Sequence, residues 1–408
     1  MKILHTADWH IGKKLHKHEL SKDFDLFIEW LCTCIQEKGV DLLLISGDVF
    51  DLANPSSEAR KQYYKALLQL RNLNCKIILT GGNHDSPAML DAPGEILREL
   101  EMHVIGSLRD TIEECIIPIK GSSGKIELVV VALPYLRDAD LRSAADGNTY
   151  EDRLEAIRMG IQNTFLGAAE VCKTQFPDIP ALAMGHLYAA GVETSESERD
   201  IQIGNQAAFQ ASQFGEFFDY IALGHIHKPQ KVNGLVPTYY SGSPIPLSFS
   251  ERKDEKRVLI LDTEESWIPE SIPVPVFRKL LKLTGNLNEL QNKLSELINN
   301  SMLNNLIELE MIEEHYDATK LYELDKLIQN FDNPGFEIVK SRVNFKNKVT
   351  GASELYAGAP QLEDLKPKEV FLELLANHEY ETDTNREILG AFDELMEELQ
   401  QQETANEL

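Results

Sequence analysis

Five short motifs in the first 227 residues combine aspartate, asparagine and histidine. In chain order they are Asp8-Trp9-His10, Gly47-Asp48-Val49-Phe50-Asp51, Gly82-Asn83-His84-Asp85, Gly185-His186 and Gly224-His225-Ile226-His227. Carboxylate oxygens, amide oxygens and imidazole nitrogens suit Mn²⁺, Mg²⁺ or Fe²⁺, and none of the motifs contains a thiolate. Two such cations about 3.5–4 Å apart can hold both oxygens of an in-line phosphoryl displacement and activate water. Each motif alone is weak, but the ordered set predicts a two-metal phosphoesterase.

The elements before these motifs explain how distant residues could meet. Each motif follows a predicted apolar strand, at residues 2–7, 41–46, 75–79, 181–185 and 220–224. Amphipathic helices, such as 23–37, separate the strands, and this alternation predicts an α/β fold whose sheet is covered on both faces. Loops at strand ends are where ligand-binding residues usually project. A glycine before the polar residue is expected to let the backbone turn sharply there.

The second half of the chain changes character. Three prolines within 265–275 predict a linker at 269–276, which closes a first domain at 1–268. Residues 277–350 then alternate as β-α-β-α-β, a small α+β module without a catalytic motif. Residues 351–408 contain two amphipathic helices, at 367–377 and 386–402. Their apolar stripes favour partner binding, and a solvated acidic tail is the alternative.

The composition limits which binding partners and which cellular compartment are expected. The net charge of −26 opposes strong nucleic-acid affinity, although residues 354–408 alone hold 15 acidic and 3 basic residues and bound cations would offset part of the rest. The chain contains five cysteines and no CxxC pair, which indicates reduced thiols. It lacks a signal-peptide pattern and a membrane-length apolar run, so we expect a cytoplasmic, nucleoid-associated protein.

The ordered motifs resemble those of the calcineurin-like metallophosphoesterase superfamily, over residues 1 to about 262. The resemblance implies a sandwich of two sheets flanked by helices, with a two-metal site. One metal would be held by Asp8, His10, Asp48 and His227, and the other by Asp48, Asn83, His186 and His225. It also implies that His84 is the general acid near the leaving oxygen, and we expect Asp85 to orient His84 through its second ring nitrogen.

A closer resemblance is carried by HTADWHIGKKL, ISGDVFD, GGNHDSP, DYIALGHIHKPQ and YSGSPIPLSFSE. These segments are similar to the family of bacterial SbcD nuclease subunits, the counterpart of the archaeal and eukaryotic double-strand-break repair nuclease. Archaeal and eukaryotic relatives have a histidine where this chain has Asp51, and the bacterial branch also has aspartate.

That resemblance implies a Mn²⁺-dependent DNA nuclease with exonuclease and single-strand or hairpin endonuclease activity, acting in DNA repair, recombination and replication. Residues 277–350 would be a DNA-capping domain. The C-terminal helices would bind an SbcC-type coiled-coil ATPase, within a heterotetramer that contains a homodimer of this subunit.

Several interpretations remain open at this point. The basic residues Lys13, Lys14 and Lys17, and the group Arg252, Lys253, Lys256 and Arg257, could contact DNA phosphates or could line solvated turns. We expect Trp9 to pack beneath the site rather than to stack on a base, and His5 to be an interior residue. The same metal core would also suit a phosphatase, nucleotidase or cyclic-nucleotide phosphodiesterase, and a non-catalytic subunit that tethers DNA ends is a third possibility.

Overall fold

The computed structural model describes residues 1–141, 150–195, 197–198, 209–314 and 318–346, together with positions 371, 388–389 and 391–392. The strands are β1 Lys2–Thr6, β2 Lys14–Leu15, β3 His18–Glu19, β4 Leu42–Ser46, β5 Lys76–Thr80, β6 Met102–Ile105, β7 Ile116–Lys120, β8 Ile126–Ala132, β9 Ala181–His186, β10 Tyr220–Gly224, β11 Gln230–Val232, β12 Thr238–Tyr240, β13 Arg257–Asp262, β14 Ser266–Pro273, β15 Leu280–Gly285, β16 Asn305–Glu313 and β17 Phe336–Phe345.

The helices are α1 Ser21–Lys38, α2 Ser57–Arg71, α3 Pro87–Asp91, α4 Gly94–Arg98, α5 Asp138–Leu141, α6 Tyr150–Gln175, α7 Leu287–Ser295 and α8 Ala318–Gln329. Helix α2 begins directly after its N-cap residue, Ser56. The side chain of Ser56 accepts a hydrogen bond from the backbone N–H of Ala59 and so caps the helix. No helix within the described ranges is long and apolar enough to cross a membrane.

Two six-stranded sheets form the main body. The first has the order β14-β13-β1-β4-β5-β6, and β1, β4, β5 and β6 run parallel. The second has the order β11-β12-β10-β9-β8-β7, and β12, β10, β9 and β8 run parallel. Parallel strands end at a common edge, so the loops after β1, β4 and β5 lie together, as do those after β9 and β10.

Alternate residues of the first sheet face two different cores. In β4, Leu42 and Leu44 pack with residues of the second sheet, and Leu43 and Ile45 pack with residues of α1 and α2. This alternation follows from the two-residue side-chain period of a strand. The predicted sandwich of two sheets flanked by helices is therefore confirmed.

The linker predicted at 269–276 is wrong over most of its length. Residues Ser266–Pro273 form β14, which pairs antiparallel with β13 from Arg257↔Pro273 to Asp262↔Ser266. The strand lies at the edge of its sheet, where proline is tolerated because one side of the strand needs no backbone donor.

The predicted β-α-β-α-β order after this strand agrees with β15, α7, β16, α8 and β17. The three strands form their own sheet, in the order β15-β16-β17, over a separate core that includes Leu290, Leu309 and Leu324. Packing divides the chain into a unit of residues 1–311 with 319–343 and a unit of 312–318 with 344–408. The predicted C-terminal helices at 367–377 and 386–402 lie almost entirely outside the described residues.

Candidate metal centre

All five motifs meet where the parallel strands of the two sheets end. Backbone hydrogen bonds tie the loops of the first sheet together, from the N–H of Asp8 to the carbonyl of Gly47 at 3.1 Å and from the N–H of His10 to the carbonyl of Asp48 at 3.0 Å. The loop of the second sheet joins them, because the N–H of His225 donates to Oδ1 of Asp8 at 2.8 Å. The fold therefore brings the motifs together, as the order of the strands predicts.

The backbone at this edge is strained. Asp8, His10, Asp48 and His225 all have positive φ, at 54°, 46°, 47° and 102°. Such conformations cost free energy for residues other than glycine, and they persist where the surrounding structure over-determines them, typically at functional sites. The strain therefore marks the ends of β1, β4 and β10 as a site rather than as ordinary turns.

A glycine is needed at position 82 because the backbone there approaches Asp48 closely. The sharp turn predicted for this glycine is not the reason. A Cβ atom at Gly82 would lie 2.1 Å from Oδ1 of Asp48 and 2.2 Å from its backbone nitrogen. Any side chain there would displace Asp48.

The predicted ligands form two neighbouring groups. Asp8, His10 and His227 bring one ligand atom each to within 4.8 Å of one another, and so do Asp48, His186 and His225. All six residues are buried. Asn83 completes the second group, because its Oδ1 lies 3.0 Å from Nε2 of His186 and 3.1 Å from Nδ1 of His225.

Asp48 lies between the two groups. Its Oδ2 is 3.3 Å from Nε2 of His186 and 3.6 Å from Nε2 of His10. One carboxylate is thus within reach of ligands from both groups, as the predicted bridging role requires.

The donor atoms fit divalent cations. Oδ2 of Asp8 and Nε2 of His225 are buried and have no hydrogen-bond partner within the part of the chain that the structure describes. Nε2 of His10 and Nε2 of His227 face each other at 3.1 Å, which two lone pairs tolerate only with a proton or cation between them. Buried polar atoms that lack hydrogen-bond partners are unusual and call for an ion or ligand.

Electrostatics at the site also favour cations. Burial lowers the pKa of His10 to about 4 and lowers that of His225 well below its usual value, so both rings are neutral donors. Burial would raise the pKa of Asp48, but the neighbouring His186 outweighs it and holds the pKa well below its usual range. Burial would lower the pKa of His186, but the neighbouring Asp48 outweighs it and raises the pKa to about 9, so a bound cation would have to displace the proton of that ring. Imidazoles beside an ionised carboxylate form the ligand set that Mn²⁺, Mg²⁺ or Fe²⁺ accepts.

The surroundings of His84 differ from the prediction. Its Nδ1 lies 2.8 Å from the backbone carbonyl oxygen of Asp51. Both carboxylate oxygens of Asp85 instead accept backbone N–H groups, Oδ1 from Phe50 at 2.9 Å and Oδ2 from Val49 at 3.0 Å and from Gly82 at 2.8 Å. Asp85 therefore fixes the loops around His84, and the expectation that it bonds the second ring nitrogen is wrong.

Besides its backbone contact with His84, Asp51 contacts a metal ligand with its side chain, a role that the sequence does not predict. Its Oδ1 accepts a hydrogen bond from Nζ of Lys13 at 3.0 Å and lies 3.3 Å from Nδ1 of His10. Burial would raise the pKa of Asp51, but His10 and Lys13 outweigh it and lower the pKa. The residue thus supports a metal ligand with its side chain and His84 with its backbone.

The predicted DNA-contacting residues differ in their exposure and ion pairing. Lys13 is paired with Asp51, and Lys14 with Glu19 at 2.9 Å, while Lys17 is exposed. Arg252 and Lys253 are exposed on the short helix Phe249–Lys253. Lys256 does not belong to that basic surface, because it is buried and bonded to Glu251.

The two aromatic expectations are confirmed. Trp9 is fully buried against Phe24 and Phe27, with its indole N–H donated to the hydroxyl of Thr6. His5 is fully buried, and its Nδ1 lies 3.0 Å from the hydroxyl oxygen of Tyr220.

The comparisons with known proteins agree with this geometry. A family model described as calcineurin-like phosphoesterase matches residues 1–229. The SbcD subunit of the SbcCD nuclease from Rhodobacter capsulatus is 38% identical over 294 residues, which cover 69% of this chain and 71% of that protein. The corresponding subunit from Escherichia coli K12 is 33% identical over 300 residues, with 72% and 74% covered. The one from Bacillus subtilis is 34% identical over 268 residues, which cover 65% of this chain and 66% of that protein.

Proposed function

The chain belongs to the calcineurin-like phosphoesterases and, within them, to the SbcD family of nuclease subunits, and from that premise we propose that it cuts DNA with two Mn²⁺ ions as cofactors. Membership makes it a metal-dependent phosphodiesterase and nuclease. The proposed activities are those of an exonuclease and a single-strand or hairpin endonuclease in DNA repair, recombination and replication.

The complete ligand set is the observation that carries the proposal. Asp8, His10 and His227 form one group, Asp48, His186 and His225 form the other, and Asn83 contacts the second. A subunit that only tethers DNA ends would not need all of them. When bound, two divalent cations supply the positive charge that stabilises the phosphoryl transition state and activates water.

The chain's own residues then divide the remaining work. In the hydrolysis, a water oxygen bonds to phosphorus, the water loses a proton to solvent, and the bond from phosphorus to the sugar oxygen breaks. His84 would donate a proton to that leaving oxygen. The carbonyl of Asp51 holds Nδ1 of His84, so Nε2 is the nitrogen that exchanges the proton. Asp85 keeps the Gly82–Asp85 loop against the β4 loop through its three backbone hydrogen bonds.

The chain is further proposed to act in the cytoplasm, at the nucleoid, inside a heterotetramer with an SbcC-type coiled-coil ATPase. The names of the three curated relatives support the partnership with an SbcC-type subunit, since each is named as a subunit of the SbcCD nuclease. The charge supports it too: a chain of net charge −26 gains from a partner that supplies DNA affinity. The partner would bind the helices predicted at 367–377 and 386–402, and Lys13, Lys14, Lys17, Arg252 and Lys253 are the proposed DNA contacts.

The substrate class can be tested on the full chain, alone and co-purified with its partner from the native host. Labelled hairpin and single-stranded DNA are incubated with Mn²⁺, and a cyclic nucleotide and a phosphopeptide are incubated in parallel. We expect the DNA substrates to be cut, with a large ATPase present in the purified complex.

The matched control is Asp48→Asn, which removes the bridging charge while keeping nearly the same size. It should lose DNA cleavage. Turnover of the cyclic nucleotide or phosphopeptide without DNA cleavage would assign the site to a phosphatase or small-molecule phosphodiesterase. Cleavage that persists in Asp48→Asn would point to a contaminating nuclease.

A further inference from the structure

A buried acidic residue outside the metal motifs connects several segments around His227. Glu251 is fully buried. Its Oε2 accepts hydrogen bonds from Nζ of Lys256 at 2.5 Å, from the hydroxyl of Ser243 at 3.3 Å and from the backbone N–H of Leu247 at 3.2 Å. Its Oε1 accepts from the hydroxyl of Ser197. A buried carboxylate with this many donors is held rigidly.

The same network holds the backbone of His227. The carbonyl of His227 accepts from Nζ of Lys256 at 3.0 Å and from the N–H of Ser243 at 3.2 Å. The N–H of His227 donates to Oε1 of Glu198 at 2.8 Å. A Cβ at Gly242 would lie 2.6 Å from the carbonyl oxygen of His227, and φ at Gly242 is +77°. The Gly-Ser-Pro segment, Gly242-Ser243-Pro244, therefore holds the backbone of His227, although it contains no metal ligand.

The hydrogen bonds around Ser197 also determine which nitrogen of His227 carries the proton. The hydroxyl of Ser197 lies 2.7 Å from Nδ1 of His227 and also contacts the carboxylate of Glu251. The hydroxyl of Ser197 also lies 2.7 Å from that of Ser195, whose own proton goes to the carboxylate of Glu198. A carboxylate can only accept, and the contact with Glu251 is the shortest that Ser197 makes, so we assign the single hydroxyl proton of Ser197 to Glu251. The hydroxyl oxygen must then accept from Nδ1–H of His227. The lone pair of the ring is thereby left on Nε2, the atom that faces His10.

We propose that Glu251 is a positioning residue that, through Ser197, sets the tautomer and orientation of His227 for binding one of the two cations. This inference rests on the metal site of the proposed function and not on its DNA substrate. Carboxylates that orient a ligating histidine through its other nitrogen typically change metal affinity by about 10- to 100-fold when they are removed. The effect should be confined to the cation held by Asp8, His10 and His227.

The test is a calorimetric titration of the full chain with Mn²⁺. Wild type should bind two equivalents. Glu251→Gln should bind one equivalent about 10- to 100-fold more weakly and the other with unchanged affinity. Glu255→Gln is the matched control, because Glu255 lies four residues away in the same segment and is exposed. It should bind both equivalents as wild type does.

Glu251→Gln could fail to fold, because it leaves Lys256 buried without its carboxylate partner. A second variant avoids this. Glu251→Gln combined with Lys256→Met removes both charges of the pair and is expected to fold. It should show a selective loss at least as large, because it also removes the contact from Nζ of Lys256 to the carbonyl of His227. Wild-type affinity for both equivalents in either folded variant, or equal weakening of both, would overturn the proposal. A wild-type chain that binds no Mn²⁺ would instead refute the metal site, and one that binds two but leaves DNA uncut would refute only the substrate.

Discussion

Replacing His84 with glutamine separates two roles that its position allows. A ring nitrogen of His84 lies within 4.8 Å of ligand atoms of His10 and Asp48, so the residue is placed as either a third ligand or a proton donor. Its Nδ1 is already held at 2.8 Å by the carbonyl of Asp51. We therefore expect His84→Gln to remove the proton donor and to leave both cations bound.

The magnitude follows from general acid catalysis. A positioned proton donor contributes about 10²- to 10⁴-fold, so kcat for DNA cleavage should fall by that factor. At about 1.36 kcal/mol for each tenfold, the transition state would lose about 3–5 kcal/mol of stabilisation. KM for the DNA should change little, because the lost contact is one made only in the transition state.

The assay pairs steady-state cleavage of a labelled hairpin with Mn²⁺ titration of the same preparation. His103→Gln is the control, since His103 is a half-buried residue of β6 outside the motifs. It should match wild type in both measurements. If His84→Gln lost one Mn²⁺ equivalent, His84 would be a ligand, and the assignment of its Nε2 to proton transfer would be refuted.

Three further outcomes are expected. Asp51→Asn should weaken the binding of one Mn²⁺ by about tenfold in calorimetry, because His10 loses its carboxylate neighbour; unchanged binding would show that this neighbour is dispensable. Asp23→Ala should lower the free energy of unfolding by about 3–5 kcal/mol in urea titration, since it leaves buried Arg278 without its two charged hydrogen bonds of 2.6 and 2.7 Å; a loss below about 1 kcal/mol would contradict this. Mn²⁺ at about 100 times its dissociation constant should add about 2.7 kcal/mol and raise Tm, a shift that EDTA should reverse.

The core of the fold and most of the site could be predicted because local patterns determine them. Continuous apolar strands such as β4 have residues alternating between two cores, and the sequence alone indicates a strand that is covered on both faces. The motifs follow such strands directly. Parallel strands end at one edge, so the meeting of Asp8, Asp48 and His225 follows from the order of elements without knowledge of any distance.

The wrong predictions, the linker and the partner of Asp85, have a common physical origin. Local sequence does not specify which distant residues a segment will contact. Three prolines indicated a linker at β14, but an edge strand accepts prolines once a partner strand such as β13 is available. Asp85 was expected to face its neighbour His84, yet its carboxylate turns to backbone N–H groups more than thirty residues away.

No local pattern in the sequence indicates the role of Glu251, for the same reason. It lies in a segment that resembled a basic turn, and its carboxylate meets Ser197 and the His227 loop only in the folded chain. The Gly-Ser-Pro stretch was the one available signal, because its sequence was specific without containing a ligand.

The central claim is a pair of cations bridged by one carboxylate. A crystal structure of the Mn²⁺-soaked protein, with anomalous data collected at the manganese edge, tests it directly. We expect two anomalous peaks about 3.5–4 Å apart, with Asp48 between them. Asp8, His10 and His227 should surround one peak, and Asn83, His186 and His225 the other. A single peak, or two peaks that Asp48 does not bridge, would contradict it.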